Sequence, residues 1–380
     1  MPEAPHPAVR KVLLIGPLPE PITGHSLACQ VLLEGLAADH RVEVVNLSKD
    51  SFQEGVSSLK RVGEVGRVLL SVWRKSRGQD AIYLTISESL AGNLKDLCIY
   101  AICAPRLSRL FLHLHGGSIK RLLWDRYPVL FGINRRWIRK MAGVIVSGRS
   151  HLKIFDEFVF PGRIHVVPNF AQDFLFRDED EIRRKFSHVN PLRVLFISNF
   201  IPKKGFNELA DAYDGLSSAA RQAVCIDFAG RFESASDARR FQTRLADRPH
   251  LRYLGAVDDA TKRDLFGKAH VFCLPTMFLE GQPISILEAY ASGCVVATTA
   301  LGGIPDIFTP GVNGFALEPG SAVSITRLLE CLVAAPERLL EIALANHWLA
   351  ERRYRTGTYC AALKAILDGQ ASGPGLAKEA

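Results

Sequence analysis

Two apolar runs, Val12–Gly16 (VLLIG) and Val194–Ser198 (VLFIS), open two stretches of similar length and similar construction. In each, short apolar runs alternate with amphipathic segments, the pattern of parallel strands joined by helical crossovers. The first array reads as strands at Val12–Gly16, Val42–Leu47, Ala81–Thr85, Leu110–Leu114, Gly143–Ser147 and His165–Val167, with a helix over His25–Ala38. The second reads as strands at Val194–Ser198, Cys225–Ala229, Val271–Leu274, Val295–Thr299 and Gly314–Leu317. The acidic segment Asp178–Glu181 and the turn at Asn190–Pro191 suggest a linker between them. The expected fold class is α/β, with two Rossmann-like doubly wound domains. In such sheets ligands bind beyond the carboxyl ends of the strands, so functional residues belong in the loops that follow them.

A chain of 380 residues, 48% hydrophobic, is long enough for about two such domains. Eight scattered cysteines contain no C-x2-C pair, which argues against a zinc ribbon or a thioredoxin-like motif. Cys225, Cys273 and Cys294 lie in apolar runs and read as reduced core thiols, implying a cytoplasmic setting. Met1–Arg10 has no apolar stretch of the signal-peptide kind, and no segment approaches the roughly 18 apolar residues of a membrane span. The chain therefore reads as soluble or peripheral. Its net charge of +8 is unevenly placed: residues 1–188 hold 27 lysines and arginines against 19 acidic residues, while 189–380 hold 20 of each. A basic first half suits an anionic partner. No nucleic-acid recognition motif accompanies it. Two segments, Leu59–Arg77 and Lys120–Lys140, mix cations with tryptophans and aliphatic residues, as a surface lying on an anionic bilayer would.

The most informative segment runs from Leu274 to Ala289. A strand ends near Pro275, a loop carries Glu280, Gly281 and Gln282, and a helix starts at Pro283 and Ile284. Proline suits a helix start, where its missing N–H is not needed. The first amides of that helix are free to hold a pyrophosphate. Glu288, about one turn in, can accept two hydrogen bonds from a ribose diol, and Glu280 can reach a hydroxyl-rich sugar. The one D-x-D, Asp178–Asp180, sits in a charge run and reads as a linker or helix N-terminus rather than a metal site.

Glu280-x7-Glu288, followed by AYASGCVVAT, Gly302–Asp306 and Gly311–Gly314, resembles the corresponding segments of family-four retaining glycosyltransferases of the GT-B fold. The resemblance spans roughly residues 10–367. It implies that the two domains face each other across a cleft. Residues 1–188 would form the acceptor-side domain and 189–350 the nucleotide-sugar domain. A helix at 351–367 would cross back to the first domain, and 368–380 would be a disordered tail. The second glutamate would bind the donor ribose and the first the transferred sugar. Ser198–Gly205 resembles the loop whose lysine and arginine hold the donor diphosphate. Lys204 matches the lysine, but Asn199 stands where arginine is usual, and either Lys203 or Arg231 would replace it. Gly230, ahead of Arg231, resembles a strand-end glycine near the nucleotide. In the first half, Gly24 lies in a loop resembling one that approaches the diphosphate or acceptor. His115, rather than the in-strand His113, matches a histidine near the transferred sugar. Pro168–Asn169 resembles a segment near the cleft.

The implied reaction is retaining transfer of a sugar from a nucleotide-diphosphate sugar to a glycan or polyprenyl-linked acceptor in surface polysaccharide synthesis, at the inner face of the membrane. No metal or cofactor is required by that route. The alternatives are a sugar-nucleotide epimerase of similar architecture and a non-catalytic membrane-associated scaffold.

Overall fold

The computed structural model describes residues 9–48 and 58–370. Residues 1–8 of the N-terminal stretch and 371–380 of the tail expected to be disordered lie outside the described residues, as do the side chains of 58–61 in the first basic segment. The chain divides into two compact units. Unit 1 is Met1–Pro168 with Gly357–Ala380, and unit 2 is Asn169–Thr356.

Unit 1 holds six parallel strands: β1 (Lys11–Gly16), β2 (Arg41–Asn46), β3 (Ala81–Thr85), β4 (Leu110–Leu114), β5 (Gly143–Val146) and β6 (Ile164–Val166). They are ordered β2-β1-β3-β4-β5-β6. Val12, Leu13, Leu14 and Ile15 are wholly buried, so side chains on both pleats of β1 are covered, as a sheet between two helical layers requires. The helix Thr356–Leu367 belongs with this unit. Its Cys360 thiol lies 3.3 Å from the Val31 carbonyl, its Lys364 pairs with Asp39, and Arg10 donates to the Leu367 carbonyl at 3.0 Å.

Unit 2 holds β7 (Leu192–Ile197), β8 (Val224–Ala229), β9 (Leu251–Gly255), β10 (Val271–Leu274), β11 (Val295–Thr298) and β12 (Gly314–Ala316). The order is β12-β11-β10-β7-β8-β9, again parallel. Strand β9 is absent from the sequence reading. Its five residues, LRYLG, bury only Leu251, alternate half-buried and exposed after it, and pair with β8 alone, so this strand carries no continuous apolar run.

The compact units part at Pro168/Asn169 rather than at 188/189. Asp178–Glu181 is the start of a helix, Glu179–Phe186, the second of the two readings of this run, rather than a linker. Asp178 accepts from the Glu181 amide at 2.7 Å, and the Glu181 carboxylate accepts from the Asp178 amide at 3.3 Å, a capping box. Acidic residues fill its first turn and basic ones its last, matching the helix dipole. Ile182 and Phe186 are buried in the core of unit 2 with Ala171 and Leu175, which ties 169–188 to that unit. No helix among the described residues is long and apolar enough to cross a membrane.

Candidate functional site

In unit 2 the strand order reverses between β7 and β10, the place where an open parallel sheet leaves a crevice at its carboxyl edge. The two loops leaving these strands bring their charged residues together. Lys204 Nζ lies 2.6 Å from Glu280 Oε1, with both side chains mostly buried. The Thr276 hydroxyl donates to the same oxygen at 2.8 Å, and the ammonium stands 5.5 Å from the Phe278 ring centre. Two glycines allow this approach. Gly205 adopts φ +89°, and a Cβ there would run into the Pro275 carbonyl. Gly302, at φ +61°, presses on the backbone of Leu279 and Glu280, and the Glu280 carbonyl accepts from the Gly303 amide at 2.8 Å. A fixed carboxylate beside a fixed ammonium can hold a sugar hydroxyl and an anionic leaving group a short distance apart.

Glu288 lies in the helix Ile284–Ala291 and is 2% exposed. Its Oε1 meets Lys262 Nζ at 2.6 Å, and the same ammonium donates to Gln172 Oε1 at 2.8 Å. Neither Lys262 nor Gln172 was singled out in the sequence; Lys262 falls within a charged surface-type helix, Asp259–Lys268, that carries no distinguishing signal. The helix begins at Ile284 with Pro283 as its cap, and no side chain caps it, which leaves its first amides available to a ligand. Gln282 and Gly281 are buried just before it. Asn169 fastens this corner: its amide donates to Gln282 Oε1 at 2.5 Å and its side-chain amide to the Gln282 carbonyl at 2.8 Å.

The remaining residues expected on the donor side gather at the ends of β7 and β8. The Phe200 amide donates to the Arg231 carbonyl at 2.9 Å, which sets the loops carrying Asn199 and Arg231 side by side. The Gly230 amide donates to the Gly255 carbonyl at 2.7 Å. Lys203 and Arg231 are exposed, Asn199 is half-buried, and among the described residues no side-chain hydrogen bond or ion pair engages any of the three. Both cations thus remain open as replacements for the missing arginine.

Unit 1 holds the other candidates. Gly24 opens the helix Gly24–Ala37, capped by Thr23, whose hydroxyl accepts from the Ser26 amide at 3.0 Å. His115 follows β4. Its Nε2 lies 3.0 Å from the Tyr83 hydroxyl, which also meets His113 Nδ1 at 2.6 Å. The His25 ring stacks on His115 at 4.5 Å, and His113 lies 3.9 Å from His115 on its ring centres. Burial, reinforced by mutual repulsion with His113 and His25, holds His115 well below the ordinary imidazole range. Burial and the His25 charge lower His113 to about 3, and burial with the Lys95 charge lowers His25 to about 4. These imidazoles are neutral near pH 7, so His115 is equipped to hydrogen-bond a hydroxyl rather than to act as a cation.

Residues 178–344 match the family model described as Glycosyl transferases group 1. The chain is 24% identical over 230 residues to the MMP alpha-(1->4)-mannosyltransferase of Mycolicibacterium hassiacum, covering 57% of this chain and 53% of that protein. It is 28% identical over 163 residues to the phosphatidyl-myo-inositol mannosyltransferase of Mycobacterium leprae, covering 42% of each. The matched stretch thus spans about half the length of these curated relatives or less. Among solved structures, Anabaena HepE in complex with UDP-glucose superposes with a TM-score of 0.71 at 17% identity, over 95% of this chain and 100% of that one. The two parallel six-stranded sheets are those of the GT-B fold.

Proposed function

We propose, from the premise that residues 178–344 belong to the group 1 glycosyl transferases, that this chain is a retaining glycosyltransferase. It moves a sugar from a nucleotide-diphosphate donor to a hydroxyl of a glycan or lipid-linked acceptor in surface polysaccharide synthesis. The observation that carries the reading is the Lys204–Glu280 pair, 2.6 Å long, at the strand-order reversal of unit 2. Lys204 and the uncapped amides of the Ile284–Ala291 helix stabilise the charge that grows on the leaving diphosphate. Glu280 orients the transferred sugar, Glu288 holds the ribose, and neutral His115 bonds a sugar hydroxyl. The diphosphate itself takes up the acceptor proton as the bond to the sugar breaks, so the donor side calls for no metal. A mannosyltransferase named for phosphatidyl-myo-inositol and a structural neighbour holding UDP-glucose support a lipid-linked acceptor and a nucleoside-diphosphate donor.

The uneven charge supports a place at an anionic membrane surface. Arg136, Arg139 and Lys140 are exposed at and beyond the end of the helix Pro128–Ile138, which also exposes Val129. Trp73, with Arg77 over its ring at 4.6 Å, is half-exposed on the helix Ser58–Lys75. Such surfaces suit the anionic inner face of a cell membrane.

The test is a panel of nucleoside diphosphates and their sugars, read as thermal protection, since a specific ligand raises Tm by mass action. One nucleobase should protect, and its sugar should be transferred only when an acceptor is added. Sugar conversion without an acceptor would indicate an epimerase, and protection by none of the panel would indicate a scaffold.

A further inference from the structure

We propose that His25, Cys29 and His115 form a binding site for a borderline-soft divalent transition metal of the zinc kind within unit 1. His25 and Cys29 are four residues apart on the helix Gly24–Ala37, which places them one turn apart on one face. His115 comes to the same spot from the loop after β4. One ligand atom from each residue lies within 4.8 Å of the others. Tetrahedral zinc with one sulfur and two imidazole nitrogens needs separations of about 3.5 Å. Binding would draw the three side chains together from the observed separation. Two imidazoles and one thiolate leave a fourth position for water, and this donor set selects zinc-like ions over magnesium or calcium.

Packed neutral histidines in an ordinary core would have their ring nitrogens satisfied. Here, among the described residues, His25 Nε2 is buried without a hydrogen-bond partner, as is His113 Nε2 beside the cluster. A buried orphan nitrogen is costly, and ligation of His25 removes that cost. Tyr83 contacts the His115 ring at 3.0 Å and would set its orientation toward the ion. Cys29 is wholly buried, while His25 and His115 are half-buried. On binding, the Cys29 S–H bond breaks, the sulfur electron pair goes to the metal and the proton goes to solvent. Occupation would draw His115 away from a sugar hydroxyl and so inhibit transfer; that consequence alone rests on the role given to His115 above.

The test is titration of the full chain with cobalt(II), with zinc(II) as competitor and no substrate present. We expect one equivalent bound per chain, a thiolate-to-cobalt charge-transfer absorption, and its displacement by zinc. Cys29→Ser should abolish the absorption, and His25→Gln should weaken binding at least ~10-fold. Cys98→Ser, which removes an exposed thiol, should change neither. The proposal is overturned if folded wild type binds no stoichiometric cobalt. It is equally overturned if the absorption survives in His25→Gln at unchanged affinity, or disappears in Cys98→Ser instead. Donor protection, which reads unit 2, should persist in His25→Gln, so failure of the metal site is distinct from failure of the transferase reading.

Discussion

Glu288 Oε1 and Lys262 Nζ lie 2.6 Å apart, and their side chains are 3% and 15% exposed. The carboxylate assigned to the donor ribose is therefore a fixed, charge-assisted acceptor, already aligned by a residue from another helix.

If that carboxylate binds the ribose, Glu288→Ala should weaken binding of the free nucleoside diphosphate by about 1.5–3 kcal/mol, the scale for charged hydrogen bonds. Glu288→Gln should do less harm. Lys262→Met should lower stability by about 3 kcal/mol, because it leaves a buried carboxylate unpaired. Adding Glu288→Gln to it should restore much of that loss. Calorimetry and denaturation measure these, and unchanged nucleotide affinity in a folded Glu288→Ala protein rules the assignment out.

Lys204 is expected to act more on the transition state than on the bound donor. Lys204→Ala should lower kcat by roughly 10²–10³ with a smaller rise in donor KM. Steady-state kinetics decide it: an effect confined to KM makes Lys204 a ground-state binder.

The wild type should sediment with anionic vesicles at low salt and be released at high salt, since each basic residue near the surface contributes on the order of 1 kcal/mol. Replacing Arg135, Arg136, Arg139 and Lys140 by Glu should abolish sedimentation and spare donor binding. Full vesicle binding by the quadruple variant would show that this segment is not the contact.

His270 gives unit 2 a pH dependence of definite sign. Its Nδ1 accepts from the Arg193 amide at 3.1 Å and its Nε2 lies 3.1 Å from the Lys185 carbonyl, so the ring is satisfied when neutral. Burial, the dominant cause, together with the Lys185 and Arg193 charges, lowers its pKa to about 4; the Lys185 carbonyl bond opposes this only in part. Between about 4 and the unfolded value of 6.5 the unfolded chain binds the extra proton. Stability is thus fully present above about 6.5 and falls as pH drops toward 4. Denaturant titrations across that range should show a flatter slope in His270→Gln; an unaltered slope places the dependence elsewhere.

Both sheets were legible wherever a strand is buried on both faces, because such strands read as unbroken apolar runs. Strand β9 escaped notice because its five residues, LRYLG, form no apolar run and bury only Leu251. Glu280 and Glu288 stood out through the glycines, prolines and spacing around them, and Lys204 through the family resemblance of its loop. Lys262 and Gln172 did not, since each reaches Glu288 only through the tertiary fold and lies in a stretch that looks like ordinary surface. The cluster around His115 was half visible. His25 and Cys29 share a helical spacing, but nothing in the chain order brings His115, ninety residues away, to the same helix turn.

The return of the chain to unit 1 at Gly357 inverts the order of manufacture. Unit 2 is one uninterrupted stretch and can finish folding as soon as it leaves the ribosome. Unit 1 starts first, yet must wait with its Tyr83 side uncovered until the final helix delivers Tyr359, which lies against Tyr83. A chain truncated before residue 357 would thus carry one complete unit and one incomplete unit. A chain cut short there should expose its defect in the half that was made earliest.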